Sequence, residues 1–487
     1  MRQVQNPQLQ FGQTDITEIK FDPKSRDDVP QLLKGLQYIY ITPEVREQVF
    51  TILEESIVGK TNPRLGRPGM ELWKILVMGV LRINLNCDYD RLHELVNQHR
   101  TIRAMLGHGV NWEDLTEYHL QTIKDNVSLL TPEILDKINT VVVETGHKLL
   151  KKNEEASLEG RCDSFVVETA VHYPTDISLL WDAMRKVINQ LADMGENYHL
   201  SDWRQHRHNL KSLKKCFNQA RQSNQSKAKN ADDKKRETHI NYLNKAQWFI
   251  DKAELTLDKL KAIAAPIWLL RNIANNLSHA KRQVSQIHRR VVEDEKVPAD
   301  EKVYSIFQPH TEWVSKGKAG VPVELGIKVC VMECQHGFIL HHRVMEKEQD
   351  VDVAIVMIRA TKAKFPELNQ CSFDKGFHSP ENQLKLAEEL NRVVLPKKGR
   401  LSKKETEREN DEAFKKARKQ HSAVESAINA LEVHGLDRCP DSGINGFRRY
   451  VSFAVLARNI QKLGALLYKQ EKEEQYRQAK RIRKKAA

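Results

Sequence analysis

The feature that most constrains this chain is a pair of heptad seams near its middle. Leu243, Ala246, Ile250, Ala253, Leu257, Leu260 and Ala264 recur at alternating spacings of three and four. After Pro266 the same spacing resumes at Leu270, Ile273, Leu277, Ala280, Val284, Ile287 and Val291. A stripe with that period is buried when long helices lie side by side, so the segment predicts a helical hairpin or coiled coil. Pro266 has no amide hydrogen and should break or kink the path between the seams. The polar, charged stretch 223–235 suits an exposed turn between helices.

The segments on either side read differently. Residues 1–40 look like an irregular leader. Thr42-Pro43-Glu44 then has the chemistry of a helix start, with Val45, Val49, Ile52 and Leu53 as its apolar face. Further helices are expected near 70–83 and 88–98, and from Thr131-Pro132-Glu133 onward, making 40–150 a compact helical module. Composition changes at Gly160: Cys162 to Glu168 is a short β-like run. β-patterns return at 321–333 and 337–344, at Cys371-Ser372-Phe373 before Asp374, and at 392–395, with a helix at 351–364 and helices dominating from 403.

Charge points to a partner. The 487 residues hold 78 Lys and Arg against 65 Asp and Glu, a net +13. Such an excess favours a polyanion, because basic groups that neutralise phosphates release counterions. Arg64, Arg67, Arg82, Arg91, His99, Arg100 and Arg103 fall in the helical module, where a short helix can enter a major groove; none marks a single recognition helix. The basic run from Lys480 to Lys485 reads as a frayed helix end. No stretch approaches the roughly 20 apolar residues of a membrane span, and no apolar signal core precedes the module, so a cytoplasmic protein is expected. The seven cysteines lack zinc-site spacing; Cys330 and Cys334 lie in an alternating apolar run and read as core.

Three acids stand out by context. Asp163 lies in the first β-run, Asp374 ends a short strand before Lys375-Gly376, and Glu425 sits in a helix with Val424, Ile428 and Leu431. Two strands and a helix can bring three carboxylates to one edge of a sheet. Phosphodiester cleavage needs an activated water and a stabilised leaving oxygen, and two divalent ions about 4 Å apart supply both. Mg²⁺ prefers carboxylate and water oxygens.

Larger segments surround these acids in order. Arg161 to Thr169 continues through His172-Tyr173-Pro174-Thr175-Asp176. Tyr304-Ser305-Ile306-Phe307, Pro309-His310-Thr311-Glu312-Trp313, Lys316-Gly317-Lys318-Ala319-Gly320 and Pro322-Val323-Glu324-Leu325-Gly326 follow. Then come Asp374-Lys375-Gly376-Phe377 with Ser379-Pro380, the run His421 to Asn429, and Leu456-Ala457-Arg458-Asn459-Ile460. Together, over about residues 60–465, these resemble the RNase H-like DDE transposases of bacterial insertion sequences, most of all the ISNCY-type group. The resemblance implies an α/β catalytic core, a mixed sheet with flanking helices, carrying an N-terminal all-helical DNA-binding module and a large helical insertion between its first two strands. The expected division is a leader (1–40), helical module (41–155), first part of the core (156–180), insertion (181–305), rest of the core (306–465) and basic tail (466–487).

The resemblance further implies Asp163, Asp374 and Glu425 as catalytic metal ligands for Mg²⁺, with Mn²⁺ substituting. It implies terminal inverted repeats and target DNA as partners, and a homodimer or higher oligomer. Arg67, Arg91, Arg100, Lys316, Lys318, Lys375 and His421 are the candidate DNA contacts; His421, one helical turn before Glu425, is also a candidate for proton transfer or a structural role. Asp176 reads as a helix cap and stays off the catalytic list. His341 and His342, adjacent on a strand, point to opposite faces and make a poor metal pair. The chain departs from the Tyr-Arg-Glu-Lys signature of the best-known relatives: around Glu425 stand His421, Arg418 and Glu432. A DNA-binding relic without activity, or a nuclease that cuts without joining, are the alternative readings.

Overall fold

A computed structural model describes the chain except residues 1–2, 7–11, 23–24, 59–68, 110–115, 151–156, 226–229, 316–321 and 487, and except the side chains of 482–486. Arg64, Arg67, Lys316 and Lys318 lie outside the described residues. The fold is mixed α/β, and its contacts form two units: residues 1–169 with 326–487, and residues 170–325.

Among the described residues the α-helices α1 (Asp28–Ile41), α2 (Pro43–Leu53), α3 (Leu72–Asn84), α4 (Tyr89–Gln98), α5 (Arg100–Met105), α6 (Leu120–Val127) and α7 (Pro132–Leu150) come before the first strand. Strand β1 (Leu158–Thr169) leads into the second unit, which holds α8 (Asp176–Asn197), α9 (His206–Ser223), α10 (Ala231–Ala262), α11 (Ile267–Val291) and β2 (Glu312–Ser315). The chain returns through β3 (Val323–Cys334), β4 (Ile339–Met345), α12 (Asp350–Lys364), β5 (Leu368–Phe373), α13 (Pro380–Glu389) and β6 (Arg392–Val394). It ends with α14 (Lys403–Asn410), α15 (Glu412–His421), α16 (Ala423–Leu431), β7 (Arg438–Cys439) and α17 (Gly443–Ala486).

The strands form one mixed sheet in the order β2-β3-β1-β5-β6, with β4 also on β3 and β7 also on β1. β1, β3 and β4 are antiparallel neighbours, whereas β1, β5 and β6 run parallel. Alternation along β1 sorts its side chains to two cores. Phe165 and Val167 join Val329 and Val331 of β3 in a large apolar core with the amino-terminal helices, α16 and α17. Cys162 joins Cys330, Met332 and the α12 residues Val353, Ala354, Met357 and Ile358 in another. Cys330 and Cys334 are both fully buried, as expected of core residues.

The expected irregular leader is in part wrong, because residues 28–41 form helix α1. Asp27 caps it by accepting from the Val29 amide at 2.8 Å, and Val29, Leu32, Leu33, Leu36 and Ile39 turn one apolar face inward. That face packs on α17, whose helix runs unbroken through residue 465 to Ala486. Gly35 and Gly464 allow the approach: a Cβ on Gly464 would lie 1.9 Å from the Gln31 carbonyl oxygen.

Arg82, counted above among the basic residues of the module, is no surface group. It is 4% exposed, bonded to Asp441 through two nitrogens at 2.6 and 3.2 Å, and lies over the Tyr89 ring at 3.9 Å. A guanidinium so placed has both terminal nitrogens on a carboxylate, with only its buried Nε lacking a partner among the described residues, and it offers no charge to a phosphate.

In the second unit α8 packs on α9 and α11, and α10 packs on α9 and α11, a four-helix arrangement around the heptad seams. Leu243, Ala246, Ile250, Ala253, Leu257 and Leu260 are buried in α10, and the seam ends there: Ala264 is exposed, with φ +54, in the turn before Pro266. Asp176 is not the cap of α8. Thr175 caps it in a reciprocal box with Ser178, and Asp176 instead pairs with Arg290 at 2.6 Å. Among the described residues no helix is long and apolar enough to cross a membrane.

Candidate active site

The parallel pairing of β1 and β5 decides where two of the acids sit. Arg161 pairs with Ser372 and Cys162 with Phe373, so one step further along both strands Asp163 is level with Asp374. Neighbours in register on parallel strands share a face. β5 stops at Phe373, and Asp374 caps the 3₁₀ turn Lys375–Phe377 by accepting from the Gly376 amide at 3.3 Å.

Glu425 arrives from a third element. Val424, Ala427, Ile428 and Leu431 bury one face of α16, which packs against β1, and Glu425 stands exposed in its first turn. The charges of Asp374, Asp350 and Glu425 all act on Asp163. Its carboxyl is pushed up to about 7, first by burial and then by these acids, against the Ser164 amide that donates to its Oδ1 at 2.7 Å. Asp374 and Glu425 therefore lie within electrostatic reach of Asp163.

His421 joins them, though not as expected. α15 ends at His421 and α16 begins at Ala423, so His421 and Glu425 do not share one continuous helix. The imidazole Nδ1 nonetheless lies 2.9 Å from the Ser372 hydroxyl, on the strand that delivers Asp374. Burial lowers its pKa, while Asp374 and Glu425 oppose that shift. Its Nε2 is buried with no hydrogen-bond partner among the described residues.

Asp350, the first residue of α12, was not singled out in the sequence. Its neighbours are each engaged elsewhere: Glu348 pairs with Arg343 at 2.6 Å, and Asp352 accepts from the Gln349 amide at 2.8 Å as part of a capping box. Asp350 instead accepts from the Ser164 hydroxyl at 2.6 Å and pairs with Lys328 at 3.2 Å. A run of alternating acids at a helix start carries no local mark of which one faces a distant strand.

Of the other candidates, Lys375 is exposed directly after Asp374. Arg91 and Arg100 are exposed on α4 and α5, which pack chiefly on α3, α6 and α1. His341 and His342 lie on β4 away from the carboxylates' strands, bonded to Lys364 at 3.1 Å and Ser452 at 3.0 Å respectively.

The donor set suits a hard divalent cation. Its oxygens are carboxylates, and like charges that raise the Asp163 pKa are what a cation would relieve. Among the described residues no three His, Cys, Asp or Glu side chains already converge at ligating distance. The fit rests on donor chemistry and register. No family model, curated protein or solved structure matches the chain.

Proposed function

We propose that this protein is a DNA transposase of the DDE kind, with an RNase H-like catalytic core. One observation carries the reading above the rest: the β1–β5 register sets Asp163 level with Asp374, and the charge of Glu425 from α16 reaches the same carboxylate. These acids come from three distant stretches of sequence, each inside a segment that resembles the family. The mixed sheet, with the first-acid and second-acid strands side by side and parallel, supports it too.

Asp163, Asp374 and Glu425 would hold two Mg²⁺ ions, with Mn²⁺ as a substitute. Bound there, the ions supply water activation and stabilisation of the leaving oxygen. The protein's own side chains do the rest. β1 carries Asp163, the end of β5 sets Asp374 at the start of the turn that follows, and α16 brings the third acid on a helix anchored by buried Val424 and Ile428. Exposed Lys375 offers a phosphate contact beside Asp374, and His421 offers an unused ring nitrogen near Asp374 and Glu425. Arg67, Arg91 and Arg100 of the amino-terminal module, with Lys316 and Lys318 of the motif segments, would contact the DNA backbone. Terminal inverted repeats and target DNA are the substrates, a homodimer or larger assembly handles both ends, and the cytoplasm is the place of action.

The test is Mg²⁺-dependent cleavage and joining of DNA that carries the inverted repeats flanking the gene. Joined product supports the transposase. Cleavage without joining would leave a nuclease, and binding without cleavage a DNA-binding relic.

A further inference from the structure

Four observations, from β1, β3 and the turn after β5, meet at Asp350. Its Oδ1 accepts from the hydroxyl of Ser164, the residue whose backbone amide donates to Asp163. Both of its oxygens lie near Lys328 Nζ, at 3.4 and 3.2 Å, so a strand of the sheet supplies its counter-charge. Its charge acts on Asp163. Its Oδ2 lies against the backbone of the Asp374 turn: a Cβ on Gly376 would stand 3.0 Å from Asp350 Oδ2 and 3.6 Å from Asp374 Oδ2. Glycine at 376 thus leaves room for two carboxylates around one turn.

The pair is also costly unless it has a purpose. Side chains of Lys328 and Asp350 are about four-fifths covered, at 19% and 21% exposure. An ion pair taken that far from water stabilises a fold little or not at all compared with apolar residues of similar size. Nor is Asp350 needed as the cap of α12, since Gln349 and Asp352 form the capping box.

We infer that Asp350 is a positioning residue of the catalytic centre, fixing Asp163 through Ser164 and adding negative potential that Lys328 holds in check, so that the Asp350–Lys328 pair sets how tightly the centre takes a divalent cation. The inference rests on the transposase reading only in assuming a divalent cation at Asp163, Asp374 and Glu425. Its signature is a change of opposite sign. Asp350→Asn keeps the shape and removes the negative charge; Lys328→Gln removes the positive one. Both break the same ion pair, so a role confined to bracing α12 makes them move together.

The experiment is calorimetric titration of the full-length protein with Mn²⁺, alongside thermal melting. Asp350→Asn should weaken Mn²⁺ binding by about tenfold, and Lys328→Gln should tighten it about threefold, the scale of one nearby unit charge in a half-solvated site. The two melting temperatures should fall alike. Serine 164 gives an independent arm: Ser164→Ala should weaken binding in the same direction as Asp350→Asn. Wild-type binding that Asp350→Asn leaves unchanged, or weakening by both charge variants, overturns the inference and spares the transposase reading. The same titration is run on the protein bound to its flanking-repeat DNA, and a wild-type protein that takes up no Mn²⁺ in either form overturns both.

Discussion

Two fully buried side-chain amides, one in the sheet-bearing unit and one in the helical unit, are served in opposite ways. Asn459 is fully buried on α17, donates to the Asn139 side chain at 2.7 Å and to the Ile339 carbonyl at 2.8 Å, and accepts from the Ile339 amide at 2.9 Å. It thereby ties α7, α17 and the start of β4 into one arrangement. Gln283 of α11 is equally buried, yet neither its side-chain nitrogen nor its oxygen has a partner among the described residues. His279 Nδ1 and His239 Nε2 are in the same position. Directional bonds such as those of Asn459 fix one arrangement of the elements they join, whereas an apolar seam sets only period and volume.

Among such polar partnerships the largest loss is expected at Arg82. Arg82→Met removes one partner of a buried, bidentate pair and leaves Asp441 only Arg449, at 3.8 Å. Chemical denaturation should show a loss of about 3–5 kcal/mol. A loss below 1 kcal/mol, about the worth of a surface pair, would mean that this network does not organise the unit.

Acid should act next. His342, half-buried on β4, is held down to about 4, first by burial, with Lys364 adding to the shift and Asp136 opposing it; His341 beside it is lowered as well. Above its ordinary value of about 6.5 the ring is neutral in both folded and unfolded chains, and stability is untouched. As pH falls from there towards about 4, the unfolded chain takes up a proton that the fold refuses, so stability is lost over that window. His342→Gln should flatten this acid limb in urea melts at pH 7, 5.5 and 4.5. An unchanged slope would mean that the ring is not kept neutral by the fold.

The helical unit should answer in the opposite sense. Gln283→Leu replaces an unpartnered buried amide with an apolar group of similar size, and should stabilise that unit by about 1 kcal/mol in thermal melts. A loss of stability would show that Gln283 has a partner after all, and its contrast with Asn459 would fade. The smallest effects belong to the exposed cations. Arg91→Gln and Arg100→Gln should each reduce the log–log salt slope of DNA binding by about one, with little change in melting temperature. An unchanged slope removes that residue from the interface.

What the sequence disclosed follows the same divide. The α10–α11 seam was readable because its period is local, and the structure buries the α10 positions through Leu260. It misled only at Ala264, where the turn before Pro266 takes over. Helix α1 carries an equally local stripe from Val29 to Ile39, but it follows on a segment rich in Gln and Asn that carries none. Asp163, Asp374 and Glu425 were found through an ordered set of motifs, since nothing in the spacing of single acids distinguishes them. Asp350 and Lys328 were invisible for a related reason. Their partnership depends on which residues of β1 and β3 fall opposite each other, and on which acid of the 346–352 run the helix start turns towards the sheet. Arg82 was misread because an arginine in a basic helical module looks the same in sequence whether it faces DNA or Asp441.

The most direct measurement is the cleavage rate of Asp163→Asn, Asp374→Asn and Glu425→Gln beside the wild type, on the flanking-repeat DNA in Mg²⁺, with DNA binding and melting temperature measured on the same samples. The account predicts that each variant loses activity by more than about a hundredfold while binding DNA and melting as the wild type does. Wild-type cleavage by any one of the three would contradict it.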